Sequence, residues 1–292
     1  MGMELLVTLN KIENIEKYKA YGVGGVIAGT SLFSSRYHFN LNDLIEIKRL
    51  TVRYNLNLYI SIDTMIEEKD KKALEDYLRI LMKMGIKGIY FTDLSVYAYA
   101  EKLDIVDKLI YDPTTLMTNS LDANFYLNQG IDSVVLAREI TYDEILRIAK
   151  HTSNIEMQVA GYLKSATSKR KFLTNYFKYI NKDYDPTNKP QLKIVEETRD
   201  YALPIIENQY GTQIYTDYIL LALKEYPTLK TFLKRAIFDN VFLSEEETLN
   251  ILKAFHNVDA NNFEEVCSEL IVECPRCNFD TGYLYQKTNL TK

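Results

Sequence analysis

One hydrophobic–polar pattern recurs in the first half of the chain: an amphipathic segment ends at a glycine, and a short apolar run follows. The instances are Gly22 before residues 23–28, Gly85 before residues 86–91 and Gly130 before residues 131–137. A glycine just after a helix supplies the left-handed cap, and an apolar run without alternation suits a strand buried on both faces. The pattern predicts helices that lead into strands of a parallel sheet.

The helix before Gly85 has the clearest signal. Its apolar stripe is Leu74, Tyr77, Leu78, Leu81 and Met82, and its polar side is Glu75, Asp76, Arg79 and Lys83. This spacing is typical of a helix that packs one face on a core.

Strand and helix patterns alternate up to residue 160. The predicted strands are residues 4–9, 23–28, 57–62, 86–91, 108–111, 131–137 and 155–160, and the predicted helices include 41–54, 95–103, 121–128 and 142–151. Asn40 or Asn42 is the predicted N-cap of the first of these helices, and Thr141 that of the last. The alternation predicts an α/β fold, a TIM-like (βα) barrel with mostly parallel strands. Residues 201–206 and 234–238 compete for the eighth strand.

The regular alternation fades after residue 177. Residues 181–193 are polar and contain two prolines, so they predict an exposed loop. Helices are predicted near residues 215–225, 244–256 and 263–270. We therefore expect a barrel domain over residues 1–240 and a C-terminal helical segment and tail over residues 241–292 that pack on it.

Composition narrows the class of protein. The 292 residues are 47% hydrophobic, enough for a large core, and carry a net charge of −5. No apolar run is long enough to span a membrane, and the first residues lack a signal-peptide pattern, so we expect a cytoplasmic protein with no membrane partner. A mildly acidic chain has no general attraction for DNA, and contact with RNA needs a local basic patch or a partner.

Polar residues at strand ends are the first candidates for chemistry, because function in parallel barrels sits there. They are Asp63, Thr92, Asp93, Asp112, Arg138, Glu139 and residues 161–164. Paired carboxylates and an arginine at one mouth suit a polar ligand or acid–base work. The alternative is that Asp93, Asp112 and Thr141 only cap helices. Arg138 and Glu139 directly follow an apolar strand, where charges are costly unless paired.

A basic cluster follows the seventh strand: Ser168, Lys169, Arg170 and Lys171. At a helix start it suits phosphate or RNA backbone. The alternative is a solvated basic face of a helix whose apolar side holds Phe172, Leu173, Tyr176 and Phe177.

The three cysteines, Cys267, Cys274 and Cys277, include one C-x-x-C pair. Their number suits a reducing compartment better than a disulfide scaffold. Zinc or an iron–sulfur cluster is one alternative, with His256 as the nearby fourth ligand, and ordinary free thiols are the other. No serine-hydrolase elbow, zinc-protease helix or P-loop motif is present.

The stretch NIEMQVAGYLKSATSKRKFLTNYF, residues 154–177, resembles the signature region of the collagenase-like peptidase family, peptidase family U32. Ala160 stands where the family has His, and Lys164 where it has its first Cys. Further likenesses cover most of the chain. They place Arg36, Asp63, Arg138, Glu139, Asn175, Arg199, Glu207 and Asp280 at family motif positions, with Asp63 replacing the customary Asn. The length of the chain and the residues Ser168 to Phe177 are most similar to those of a short subgroup from Gram-positive bacteria.

The resemblance implies a role in oxygen-independent hydroxylation of RNA or of a quinone precursor. Such proteins use prephenate or a similar hydroxyl source, typically hold an iron–sulfur cluster with four cysteines, and sometimes work in pairs. Because the signature cysteines are missing, we expect the short subunit of a tRNA uridine hydroxylation system, with no cofactor of its own and a longer, cluster-bearing relative as partner. Alternatives are a collagenase-like protease and a non-catalytic binding protein.

The residues expected to carry the activity follow from the strand-end rule and the resemblance together. The predicted catalytic residues are Arg138, Glu139 and Asp93. The predicted substrate-binding residues are Arg36, Asp63, Ser168, Lys169, Arg170 and Asn175. No metal ligand is predicted apart from the zinc alternative at the three cysteines.

Overall fold

The structure, a computed structural model, describes residues 2–36, 39–197 and 200–286. The strands of this part of the chain are β1 (Glu4–Thr8), β2 (Gly25–Gly29), β3 (Asn57–Ile62), β4 (Gly88–Phe91), β5 (Leu109–Tyr111), β6 (Ser133–Val135), β7 (Ile155–Ser168), β8 (Lys193–Val195), β9 (Ala202–Asn208), β10 (Gly211–Leu221), β11 (Arg235–Asp239) and β12 (Phe279–Asp280). β1 to β7 pair in chain order, and β11 pairs in parallel with both β7 and β1. These eight parallel strands close a barrel, as the alternating pattern predicts.

Helices cover the outside of the barrel. They are α1 (Asn14–Ala20), α2 (Leu41–Arg53), α3 (Lys71–Lys83), α4 (Leu94–Lys102), α5 (Ser120–Leu127), α6 (Tyr142–Ala149), α7 (Phe172–Tyr179), α8 (Tyr226–Leu229), α9 (Glu245–Asn257) and α10 (Phe263–Glu273), with 3-10 turns at Glu68–Asp70, Val106–Lys108 and Gly282–Tyr285. Asn40 caps α2 and Thr141 caps α6, each in a reciprocal capping box. Both predicted caps are confirmed.

The eighth barrel strand is β11, so the candidate at residues 234–238 is confirmed. Its register sets Arg235 beside Glu4 on one side and beside Glu156 on the other. The competing segment forms β9 instead, in an antiparallel sheet outside the barrel. Both segments have strand-like sequences, and only their pairing partners distinguish them.

An antiparallel arm extends from the barrel. We call the arm the part of β7 beyond Gly161 together with β8, β9 and β10. β7 was predicted to end at residue 160, but it continues to Ser168 because β10 pairs with it along that length. The predicted helix over residues 215–225 is wrong, since β10 runs to Leu221 and α8 begins only at Tyr226. The spacing of apolar residues in this segment is compatible with a helix. The segment forms a strand because it pairs with the edge of β7.

The base of the barrel is closed by a buried ionic network. The Glu156 side chain is fully buried and accepts hydrogen bonds from Arg235, Ser133 and, at 2.5 Å, the Tyr90 hydroxyl. Arg235 also donates to Asp132 at 2.6 Å. Every charge has a partner, as burial demands. Removal of one partner from such a network costs about 3–5 kcal/mol.

The C-terminal residues up to 286 pack on the same core as the barrel. Apolar side chains of α9 and α10, among them Phe255 and Leu270, belong to one buried cluster with barrel residues such as Val7 and Ile60. The division at residue 240 stays a prediction, and the end of the expected tail, residues 287–292, lies outside the described residues.

Candidate functional site

Three ion pairs occupy the carboxyl end of the barrel. We call this set the mouth cluster: Arg36, Asp63, Asp112, Arg138, Lys164 and Asp239. Asp63, Asp112 and Arg138 follow β3, β5 and β6, Asp239 ends β11, Arg36 lies in the β2–α2 loop, and Lys164 projects from the extension of β7. Five of the six line a cavity of about 40 Å³, which has room for only a few water molecules.

Each cation of the mouth cluster contacts a carboxylate. Arg36 pairs with Asp239. Lys164 Nζ lies 3.2 Å from Asp63 Oδ2, and Arg138 binds both oxygens of Asp112 at 3.1 and 3.4 Å. The side chains are between 7% and 20% exposed, so the charges are largely out of water.

Burial and mutual charge set the protonation of Asp63 and Lys164. Burial raises the pKa of Asp63, but Lys164, Arg36 and hydrogen bonds from Ser35 outweigh it and hold this pKa well below its usual range. Burial lowers the pKa of Lys164, and the charges of Arg36 and Arg138 lower it further against the pull of Asp63. Asp63 is therefore ionised at neutral pH, whereas Lys164 loses its proton more readily than a surface lysine does.

The arm positions the loop that carries Arg36. Ser35 donates its backbone N–H to Asp63 at 2.7 Å, and its carbonyl accepts from Asn208 Nδ2 at 2.6 Å. The Tyr210 hydroxyl donates to the carbonyl of Ser31 at 2.6 Å. Because Asn208 ends β9 and Tyr210 lies in the β9–β10 turn, the antiparallel sheet fixes one wall of the mouth.

A large open groove adjoins the mouth cluster. It has a volume of about 1270 Å³ and lies between the segment after β11, residues 241–244, and the segment after α10, residues 274–276. Ser35 and Arg36 line both this groove and the mouth side of the barrel. The groove is large enough for a small-molecule ligand or a nucleotide.

The sequence of this chain matches a known protein family over most of its length. A family model described as peptidase family U32 matches residues 10–234. The chain belongs to peptidase family U32. It is 27% identical over 217 residues to tRNA hydroxylation protein P2 of Bacillus subtilis (strain 168). The aligned region covers 72% of this chain and 70% of that protein. It is 25% identical over 178 residues to tRNA hydroxylation protein P1 of the same strain, which covers 59% of the chain and 42% of that protein.

A solved structure supports the same fold. The U32 peptidase Mk0906 superposes with a TM-score of 0.51 at 10% identity, covering 81% of this chain and 92% of that one. At this identity the likeness concerns the fold alone. The family model, which matches residues 10–234, confirms the resemblance read from the signature region at the level of the U32 family.

The structure brings together only part of the predicted site. Arg36, Asp63 and Arg138 lie in the mouth cluster. Glu139, the neighbour of Arg138, is exposed and lies near the phenols of Tyr218 and Tyr283. Asp93 caps α4 through the backbone N–H of Ser95 at 2.9 Å and also accepts from Ile66 N at 3.0 Å.

Three members of the mouth cluster are not among the predicted catalytic or substrate-binding residues: Asp112, Lys164 and Asp239. Asp112 and Lys164 are strand-end candidates, whereas Asp239 is not a candidate at all. Asp239 follows the apolar strand at residues 234–238, so the strand-end rule would have selected it had that segment been assigned to the barrel. Asp112 does not cap a helix, since Asn119 caps α5. Its carboxylate instead accepts from Arg138 and from Thr114 N at 2.9 Å.

The predicted basic cluster lies on the arm rather than in the mouth. Ser168 ends β7, Lys169 pairs with Glu67 at 3.4 Å, and Arg170 is exposed, as is Asn175 in α7. The helix starts later than predicted, at Phe172. Arg199, a further family motif position, lies outside the described residues.

Glu207 occupies the donors at the start of α7. Its carboxylate accepts from Leu173 N at 2.7 Å and from Thr174 N at 3.1 Å. The backbone N–H groups at the start of α7 therefore bind the protein's own carboxylate. An external phosphate could be bound here only by the basic side chains.

The described residues do not fit the four-cysteine cluster that the family likeness implies. No three His, Cys, Asp or Glu side chains among them converge as metal ligands. Cys274 is buried, and burial together with Glu247 raises the pKa of the neighbouring Cys277 thiol to about 12, which disfavours the thiolate that binds metal. His256 packs against Gly22. No helix in the described part of the chain is long and apolar enough to cross a membrane.

Proposed function

We propose that this chain is the short subunit of an oxygen-independent tRNA uridine hydroxylation system and acts in the cytoplasm with a longer U32 relative. The likeness to two tRNA hydroxylation proteins of one organism supports a paired system. The chain spans 70% of protein P2 but 42% of protein P1, so the two relatives differ in how much sequence lies outside the match.

The proposal rests mainly on the side chains found at the carboxyl end of the barrel. The family's barrel is retained, but the residue matched to its first cysteine is Lys164, which is ion-paired with Asp63. Two arginines and three carboxylates line one small cavity next to this ion pair, and the described residues that line it include no cysteine or histidine. We infer that any iron–sulfur cluster of the system belongs to the longer relative.

Arg36, Arg138 and Lys164 are the proposed ligand-binding residues of this chain. Buried ion pairs add little stability compared with apolar packing, so three of them at one strand end suggest a function. A carboxylate or phosphate group can replace Asp112 or Asp239 as the partner of an arginine, and the adjoining groove gives it access. Asp93 and Glu139 stay predictions, with their carboxylates outside this cavity.

The first test is anaerobic purification of the chain alone and of the chain co-expressed with the longer relative, followed by iron, sulfide and zinc analysis. We expect a metal-poor single chain that co-purifies with an iron-loaded partner. Stoichiometric iron and sulfide in the chain alone would contradict the subunit model.

The second test measures hydroxylated uridine in tRNA by mass spectrometry. A strain that lacks the gene is complemented with the wild type, with Arg138→Gln, or with the control Lys72→Gln, which removes an exposed cation of α3. We expect the modification to need the chain, to fall with Arg138→Gln and to persist with the control. Unchanged hydroxylation in the deletion strain would refute the proposal, and gelatin cleavage by the pure chain would favour the protease alternative.

A further inference from the structure

The helix α7 presents an apolar stripe to solvent. Phe172, Tyr176, Tyr179 and Ile180 are 42%, 56%, 85% and 42% exposed. Their spacing of four, three and one residues places them along one side of the helix and its end. None of the residues in α7 is buried. An exposed stripe with three aromatic rings marks an interaction surface.

The orientation of α7 is fixed by the arm. The buried carboxylate of Glu207 holds the backbone of Leu173 and Thr174, and Phe172 N donates to Thr212 of β10 at 3.1 Å. On the side away from the stripe, Phe177 packs on Tyr184 with ring centroids 4.7 Å apart. These contacts anchor the helix with the stripe outward.

The charge around α7 is opposite to that of the whole protein. Residues 164–193 contain eight lysines and arginines and two aspartates, a net charge of +6, whereas the full chain has −5 and the remainder therefore −11. Most of these cations are exposed and surround the stripe: Lys169, Arg170, Lys171, Lys178 and Lys182. A polyanion would be repelled by most of the surface and attracted to this segment.

We propose that the exposed side of α7 and its flanking cations bind single-stranded RNA. Bases stack on Tyr176 and Tyr179, and phosphates lie along Arg170, Lys171 and Lys178. Aromatic rings interleaved with cations are the combination that binds single strands without a fixed sequence. This inference rests on the proposed function, because an RNA substrate gives the surface its purpose. We favour RNA over a protein partner because the charge complementarity holds for every RNA.

The surface lies within reach of the mouth. Lys164 and Phe172 belong to one continuous stretch, and the eight residue-to-residue steps between them span at most about 28 Å. An RNA strand of several nucleotides held on α7 can therefore reach toward the mouth cluster, where enzymes that modify bases need the target base unstacked.

The test is the binding of a fluorescent oligouridine and of a tRNA anticodon stem–loop to the full chain, measured by anisotropy over a range of salt. If these three cations contact phosphates, affinity falls about 20-fold between about 50 and 200 mM salt. The variant Arg170→Gln/Lys178→Gln should reduce the slope of log affinity against log salt by about 1.4. The variant Tyr176→Ala/Tyr179→Ala should weaken binding at least about tenfold with little change in slope.

Matched variants separate stacking from folding. Tyr176→Phe/Tyr179→Phe keeps the rings and should bind as the wild type does. Phe125→Ala removes an exposed ring of α5, which is 61% exposed, and should have no effect. No measurable binding by the wild type, or equal loss in Phe125→Ala, would overturn the inference.

The outcome is distinguishable from failure of the proposed function. If tRNA hydroxylation needs the chain but the tyrosine variant binds RNA normally, this inference fails and the proposed function stands. If the variant loses RNA affinity while hydroxylation never depended on the chain, the surface is confirmed and the proposed function fails. If the variant loses only its co-purification with the longer relative, the surface is a protein interface and the inference is wrong.

Discussion

Gly161 is the position where β7 leaves the barrel for the arm, and its substitution is the sharpest test of this junction. Gly161 pairs with Asp239 of β11 and with Leu220 of β10, and its φ is +104°. A Cβ atom there would lie 1.8 Å from the carbonyl oxygen of Asp239. Gly161→Ala must therefore push apart two paired strands beside the ion pair of Asp239 with Arg36.

The expected loss follows from two costs. A non-glycine residue at this φ costs about 1–3 kcal/mol. Separation of the strands at this point weakens one or two backbone hydrogen bonds, at about 1 kcal/mol each. Gly161→Ala should lower the free energy of unfolding by about 2–5 kcal/mol. The matched control is Gly85→Ala, where φ is +65° and no atom lies within 4 Å of the new Cβ, so that only a backbone cost of about 1 kcal/mol remains.

Both variants can be compared by equilibrium urea unfolding, followed by circular dichroism and by the fluorescence of the 23 tyrosines. The free energy of unfolding is extrapolated from transitions of equal slope. A difference between the two variants of less than about 1 kcal/mol, close to the error of the extrapolation, would refute the steric reasoning.

Two further predictions concern buried charges. Glu156→Gln leaves Arg235 with Asp132 as its main partner, so urea unfolding should show a loss of about 3 kcal/mol, against almost none for the exposed control Glu46→Gln. A loss equal to that of the control would contradict the role of this network. The pKa of Asp63 is lowered in the folded state, so its contribution to stability is complete above the unfolded pKa of about 3.9 and is lost as the pH falls below it. Asp63→Asn should therefore be less stable at neutral pH and lose less further stability on acidification; an unchanged acid profile would contradict the ion pair.

Much of the barrel was predictable because its signals are local. Buried strands, amphipathic helices and caps such as Asn40 and Thr141 depend on neighbours within a few residues. Predicted and observed bounds accordingly agree closely, as at Asn57–Ile62 and Leu41–Arg53. The strand-end rule likewise placed Arg36, Asp63 and Arg138 at one site with help from the family resemblance.

The arm was not predictable in this way. Residues 211–221 form a strand because the extension of β7 offers an edge to pair with, and that edge lies more than forty residues earlier in the chain. The same strand pairing, of Tyr215 with Lys164, places Lys164 beside Asp63 in the mouth cluster. The sequence pattern predicts that β7 ends at residue 160, so the position of Lys164 opposite Asp63 does not follow from local signals.

Neighbouring residues show the same limit within the site. Arg138 and Glu139 were equivalent candidates, yet one binds Asp112 in the mouth and the other is exposed, because the turn after β6 separates their directions. The sequence by itself determined the barrel, its helices and the family, since periodicity and motifs are local properties. Only the tertiary structure decided the eighth strand, the arm and the ion pairs of the mouth, because these depend on pairings between residues far apart in the chain.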